Sequence, residues 1–267
     1  MLVALRPHDQ SKIAACAVER PSIEAEARAR NSKQNGYVCP RCLSPVVLKQ
    51  GRIVVPHFAH KPTLSCQFGQ PETPAHLRAK QHIYDALIQS SRANSTEMER
   101  DFGTSIADVF TVLDGVPVAI EIQQSGLNTD ELSQRTLHYY HLGIHVLWIL
   151  LLKDTPATYK PKAWERWIHA AYFGRVYFWV EGLSFLAVHF QKLQQWIDAR
   201  DWYDQDGQVN EAGGYWKTMK NQFTWQPSRN ILQLTNDFRP VERQPFSAGE
   251  IDIPKCRLLI DKFPKWW

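Results

Sequence analysis

A chain that contains IADVFTVLDGVPVAIEIQQSG, residues 106–126, is committed to a tight β-hairpin. Two apolar runs rich in β-branched residues flank Asp114-Gly115, a dipeptide that favours the two-residue turn whose twist matches paired strands. Each run carries a single carboxylate, Asp108 on the first strand and Glu121 on the second. A buried carboxylate costs several kcal/mol (about 2 or more even after relaxation) unless it is paired or bound to a metal. The pattern therefore calls for positive charge beside the hairpin. The expectation drawn here is that Asp108 and Glu121 jointly hold a Mg²⁺ or Mn²⁺ ion, with the carbonyl of Ile122 as a further oxygen ligand.

The neighbouring segments extend this unit. PETPAHLRAKQHIYDALIQS reads as a helix with Thr73 as N-cap, Pro74 at the first helical position, and Leu77, Ile83, Tyr84, Leu87 and Ile88 at helical spacing. His76 and Lys80 share one face of it, a turn apart. STEMERDF reads as a first strand, before the two strands of the hairpin. DELSQRTLHYYHLG follows as a helix closing at Gly143, and IHVLWILLL as a buried strand. Helix, three strands, helix, strand resembles the core of restriction-endonuclease-like nucleases, which carry Asp on the second strand and Glu-x-Lys on the third. Glu97 and Glu99 lie on the first strand, on one face by parity, and Glu99 is preferred as a third acid because it is nearer the strand end.

Upstream lies YVCPRCLSPVVLKQGRIVVPHFAHKPTLSC. Its Cys39-x2-Cys42 turn, the His57-x2-His60 pair and Cys66 have the spacing of a zinc-ribbon-type knuckle, with VVLKQGRIVV as a hairpin turning at Gly51. Five candidate ligands exceed the four of a closed structural Zn²⁺ site. Cys39, Cys42 and Cys66 are favoured with one histidine, since alternation along a strand points the two to opposite faces, and His60 is preferred to His57 because it lies past the expected strand end. Cys16 and Cys256 are expected in the core.

Charge is uneven. Residues 1–80 hold twelve Lys/Arg and five Asp/Glu, a balance of +7, whereas the remainder balances at −3. A basic first third suits contact with a polyanion as well as an ordinary solvated face. No apolar run reaches membrane-spanning length, and MLVAL is too short for a signal-peptide core, so a cytoplasmic location is expected. Residues 154–267 contain nine of the ten tryptophans. KAWERWIHAAYFG and FLAVHFQKLQQWIDARDWY read as amphipathic helices, and RVYFWVEGLSFLAV as a hairpin over Glu181-Gly182. Most of the rings read as core, with base stacking of single-stranded nucleic acid on a few as the alternative. The region of Pro156 and Pro161 is the expected domain boundary. Three segments result: 1–68, an N-terminal hairpin and zinc-ribbon-like module; 69–153, the nuclease core; and 154–267, a Trp-rich mixed region.

Taken in order, MLVAL, YVCPRCLSPV, VPHFAHK, AHLRAKQHIYDAL, ADV, IEIQQS, QRTLHYYHLG and VLWIL resemble the competence protein CoiA-like family, nucleases linked to natural transformation. The resemblance covers roughly residues 1–152. It implies an N-terminal zinc module on a restriction-endonuclease-like α/β core, and a role in processing incoming DNA. Family positions match His76, Lys80, Glu99, Asp108 and Glu121. On this reading Asp108, Glu121 and Glu99 bind metal, Gln123 orients water, Lys80 stabilises charge on the phosphate, and His76 contacts substrate or transfers a proton. Arg135 pairs with a phosphate or a carboxylate. Two departures stand out: Gln123 where nucleases of this kind carry lysine, and Ile106 where relatives are expected to carry arginine. Both lend weight to the competing reading, a non-catalytic DNA-binding or adaptor protein in a recombination or defence complex.

Overall fold

A computed structural model describes residues 1–6, 9–18, 36–60, 66, 72–124, 126–151 and 158–267. It is a mixed α/β structure dominated by strands. Strands β1 (Val3–Leu5) and β2 (Lys12–Ala14) form a small antiparallel pair. β3 (Val46–Lys49) pairs with β4 (His57–His60), Val46 opposite His60 and Lys49 opposite His57. This hairpin differs from the one expected: the returning strand is HFAH, not RIVV, and the turn spans 50–56. The reason is burial, since this register puts Phe58 in a small core with Met1, Ala4, Ile13, Cys39 and Val46 while Ile53 stays exposed.

Helix α1 (Pro74–Ile88) starts as expected, the Thr73 hydroxyl accepting from the His76 backbone N–H at 3.2 Å with proline in the first turn. Strands β5 (Ala93–Asp101), β6 (Ile106–Leu113) and β7 (Val116–Gln123) follow as an antiparallel run. The β6–β7 turn has φ of 49° at Asp114 and 81° at Gly115, the two positive values that this turn type demands. Helix α2 (Thr129–His141) buries Leu132, Thr136 and Tyr139, one stripe at helical spacing, against the sheet. It ends in Gly143 at φ 75°, whose N–H reaches the Tyr140 carbonyl at 3.1 Å. The chain then enters β8 (His145–Leu151), parallel to β7 with Glu121 opposite Trp148. From Val146 onward every residue of β8 is buried, as a central strand covered on both faces requires. The order helix, three strands, helix, strand is thus present.

Helix α3 (Ala163–Ala171) buries Trp164, Trp167, Ile168 and Ala171, and Glu165 caps its start by accepting from the Lys162 N–H at 2.7 Å. β9 (Val176–Glu181) and β10 (Ser184–Ile197) form the hairpin expected over Glu181-Gly182. The helix expected over FLAVHFQKLQQWIDARDWY does not form. Phe185, Ala187, Val188 and Phe190 are buried in β10, and the polar half beyond them is carried outward by pairing with β13 (Tyr215–Pro227), with β11 (Arg200–Tyr203) and β12 (Val209–Ala212) between. Partner strands override the helical preference of Gln, Lys and Leu here. Then come β14 (Leu232–Gln233), the short helix α4 (Leu234–Asp237), β15 (Phe238–Arg243), β16 (Phe246–Ala248), β17 (Ile251–Ile253) and β18 (Cys256–Asp261). One ten-stranded sheet runs β13-β10-β9-β8-β7-β6-β5, with β14, β15 and β18 attached.

The tail's tryptophans divide evenly rather than filling the core: Trp164, Trp167 and Trp179 are buried, Trp225, Trp266 and Trp267 are partly covered, and Trp196, Trp202 and Trp216 are exposed. Cys256 is buried as expected, but Cys16 is exposed. Pro156 lies outside the described residues. Among the described residues no helix is long and apolar enough to cross a membrane.

The hairpin turn offers a test of this local account. Gly115→Val, at φ 81°, should lower unfolding free energy by about 1–3 kcal/mol in urea titrations. Gly213→Ala, where nothing lies within 4 Å of an added Cβ, should stay within about 0.5 kcal/mol of the parent.

Candidate active site

A cleft of about 710 Å³ opens between α1, the ends of β6 and β7, and the start of α2, with Arg41 of the cysteine-bearing turn at its edge. Lys80 is buried in its wall. It occupies the apolar stripe of α1, three residues after Leu77 and three before Ile83, so packing against the sheet forces its ammonium inward. There it contacts Glu72, lies 2.7 Å from Glu99 Oε1, and lies 3.5 Å from Asp108 Oδ1. His76, one turn earlier on the same helix, places Nδ1 2.9 Å from Glu72 Oε1 and Nε2 3.2 Å from Asp108 Oδ2. Asp108 also accepts the Ile122 backbone N–H at 2.8 Å.

These contacts set the protonation states. Burial works against every charge here, but the ion pairs outweigh it. Lys80 and His76 hold Glu72 well below the ordinary carboxylate range, and His76 and Lys80 hold Asp108 down at about 2. Burial likewise opposes the His76 imidazolium, yet Asp108 and Glu72 raise its pKa to about 9. Lys80 is raised by Glu99, Glu72 and Asp108 against its own desolvation.

Glu99 is drawn into this cluster by its backbone. Its φ of 50° breaks strand alternation, so Glu97 and Glu99 do not share a face as parity suggested. Glu97 is exposed, 3.3 Å from Lys12 and 3.1 Å from Arg100. Glu99 is buried and accepts the Leu2 and Val3 N–H groups at 2.7 and 3.1 Å. Its carboxylate therefore ties β1 to the cleft.

Glu121 lies in a different setting. Its two oxygens receive Arg135 Nη2 and the Tyr139 hydroxyl, each at 2.5 Å. Arg135 also donates to the Ile106 carbonyl at 3.0 Å and lies over the Trp148 ring. Burial pushes the Glu121 carboxyl up to about 7 against the pull of Arg135 and Tyr139. The positive charge called for by the hairpin is therefore supplied by side chains: His76 and Lys80 for Asp108, Arg135 for Glu121. Of the two partners expected for Arg135, it meets the carboxylate. Side-chain oxygens and nitrogens close enough to share one ion, all within 4.8 Å of one another, come from Glu72, His76 and Asp108. Gln123 and Ile106 line the same cleft. Sequence reasoning missed Glu72 and Tyr139; a lysine inside an apolar helical stripe was the signal that further acids had to converge on it.

The second cluster is formed by Cys39, Cys42, His60 and Cys66, whose ligand atoms also lie within 4.8 Å of one another and could hold a metal ion. Cys39 Sγ is 3.9 Å from Cys66 Sγ, and Cys42 Sγ is 3.3 Å from His60 Nε2. Three thiols and an imidazole are the donor chemistry of a closed, four-coordinate site. Burial pushes the Cys39 thiol up to about 12; at the more open Cys42, hydrogen bonds from Ser44 and His60 outweigh burial and bring it down to about 6. His57 faces away, its Nδ1 3.0 Å from the Val55 carbonyl. Between the two clusters, Arg41 reaches Asp101 at 3.2 Å and the Gly103 carbonyl at 2.9 Å. The cysteine turn thereby fixes a guanidinium at the cleft's rim.

Known proteins sort this arrangement. Residues 22–69 match the family model "Competence protein CoiA, N-terminal domain", and residues 72–172 match "Competence protein CoiA, nuclease-like domain". Competence protein CoiA of Bacillus subtilis (strain 168) is 29% identical over 141 residues, which cover 51% of this chain and 37% of that protein. The match thus spans little more than a third of the relative's length. No solved structure matches the chain. Both clusters fall within or at the edge of the matched segments, and the chain belongs to the competence protein CoiA family.

Proposed function

We propose that the protein is a metal-dependent DNA nuclease, with a restriction-endonuclease-like core, that processes DNA in the cytoplasm during competence-linked uptake and recombination. The observation that carries this reading is the cleft cluster. Three carboxylates, Glu72, Glu99 and Asp108, converge on one buried lysine and one histidine at the wall of an open cavity. Perturbed charges gathered in a cleft are the arrangement expected where charge develops during a reaction.

Glu72 and Asp108 have the carboxylate oxygens that would hold Mg²⁺ or Mn²⁺, and Asp108 is ionised throughout the neutral range, whereas His76, raised to about 9, is a cation there and pairs with both acids. Such an ion polarises a phosphodiester and lowers the pKa of water. The chain's own groups do the rest. Lys80 stabilises negative charge on the scissile phosphate, Gln123 orients water from the cleft wall, and Arg41 anchors a flanking phosphate at the rim. Glu121 serves as the carboxylate that positions Arg135 at the cleft wall. Cys39, Cys42, His60 and Cys66 hold a structural Zn²⁺ that keeps Arg41 in place. The engagement of both Glu121 oxygens by Arg135 and Tyr139, together with Gln123 in place of a lysine, favours the second reading, a DNA-binding adaptor without cleavage.

Cleavage assays on single- and double-stranded DNA with Mg²⁺ or Mn²⁺ separate the two. Asp108→Ala should reduce cleavage at least about 10²-fold, and Lys80→Met by about 10²–10³, each with folding checked by circular dichroism. A wild type that binds DNA and cuts neither form would leave only the adaptor. His76 gives a pH signature independent of activity. Its folded pKa of about 9 exceeds the ordinary 6.5, so its stabilisation is complete below 6.5 and is lost as pH rises through 9. His76→Gln should flatten that part of the stability profile relative to wild type. Purified wild type should contain about one equivalent of zinc by atomic emission, as four ligands per ion imply, and Cys42→Ser should lose most of it.

A further inference from the structure

A second cleft, of about 660 Å³, lies at the root of the ribbon formed by β10 and β13. Arg166, Lys192 and Lys220 line it against one acid, Glu250. Among the described residues none of these three cations pairs with a carboxylate; Arg166 reaches only the Asn221 side chain, at 3.5 Å. Uncompensated positive charge in a concave surface draws phosphate groups.

The ribbon continues the cleft. Thr218 lines it and pairs with Gln194; two residues farther out on each strand, Trp216 pairs with Trp196. A spacing of two keeps the tryptophans on the face that carries Thr218. Their rings meet edge to face with centroids 5.6 Å apart, and they are 64% and 47% exposed. Trp196 also packs over Gly214, so close that a Cβ there would collide with its ring, and Trp216 is the more exposed of the two. Exposed indoles beside a cationic cleft offer stacking surfaces to bases and charge to the backbone that links them. A duplex keeps its bases stacked inside, so the fitting partner is a single strand. Beyond the tryptophans the tip turns acidic, with Asp198, Asp201, Asp204, Asp206 and Glu211 against Arg200, which ends the track.

Toward the other side, Thr129 borders this cleft while Leu127 and Glu131 border the first, so the start of α2 separates the two. We propose that the Arg166–Lys192–Lys220 cleft and the Trp196–Trp216 pair form a binding track for single-stranded DNA leading to the candidate active site. This deepens the proposed function and rests on its reading of DNA as the substrate.

Fluorescence anisotropy of a labelled oligo-dT, without added divalent metal, tests it. Trp216→Ala should weaken binding about 5- to 100-fold and Trp216→Phe much less, as expected for loss and partial retention of stacking. Lys192→Ala with Lys220→Ala should reduce the slope of log affinity against log salt by about 1.4, two single-strand phosphate contacts at about 0.7 each. Equal affinity and slope in all variants would overturn the track, as would an equal loss of duplex binding in Trp216→Ala. Cleavage by wild type beside unchanged binding in the variants would sink the track and leave the nuclease reading standing. Binding with the expected losses, but no cleavage, would do the reverse.

Discussion

The buried ammonium of Lys80 is the contact on which the rest of the site depends. It sits where an aliphatic side chain would complete the stripe of α1, and it is tolerated because Glu72, Glu99 and Asp108 meet it. Those acids come from three places: the approach to the helix, the first strand of the antiparallel run and the second. Glu99 in turn receives two backbone N–H groups of β1. One cation thus joins the N-terminal strand, the helix and the sheet, and removing a partner from such a buried cluster typically costs about 3–5 kcal/mol. The same arrangement that holds the layers together keeps a dense set of charges at the wall of an open cleft.

The hairpin acids show how neighbouring positions acquire different chemistry. Asp108 faces His76 and Lys80 and stays ionised down to about pH 2, while burial brings Glu121 up to about 7 despite Arg135. Two carboxylates on adjacent strands whose environments separate their pKa values are suited to different tasks. Asp108 is a permanent negative charge open to the cleft. Glu121 is a buried acceptor that fixes Arg135 over Trp148.

Much of this was legible in the sequence where local chemistry decides the outcome. Thr73-Pro74, Asp114-Gly115 and Gly143 mark real boundaries because caps and positive-φ turns are set by a few adjacent residues. The opposed His57 and His60 follow from alternation alone, and alternation likewise predicted Glu97 beside Glu99. That second inference failed because a single φ of 50° is invisible in composition. Glu72 was missed because its role comes from a contact with a buried lysine that also gathers Glu99 and Asp108 from other elements. FLAVHFQKLQQWIDARDWY was misread because the strand state of its β10 portion is imposed by β13, whose paired residues lie 18 to 39 positions along the chain. Non-local pairing, not propensity, decides such segments.

The matched family segments end at residue 172, yet the sheet does not. β8 is bound on one edge by β7 along Val118 to Gln123. Its other edge is shared: Val146 meets Leu258 of β18, and Ile149 to Leu151 meet Tyr177 to Trp179 of β9. Both covering strands lie beyond the matched segments. Without them β8 would present HVLWILL as an open edge, a short apolar strand with unpaired backbone groups and no internal charge, which is a template for aggregation. The C-terminal region therefore does more than append a ribbon to a nuclease-like core. It closes the strand whose Trp148 pairs with Glu121 and lies beneath Arg135, so the geometry of the cleft depends on residues outside the segments that identify the family.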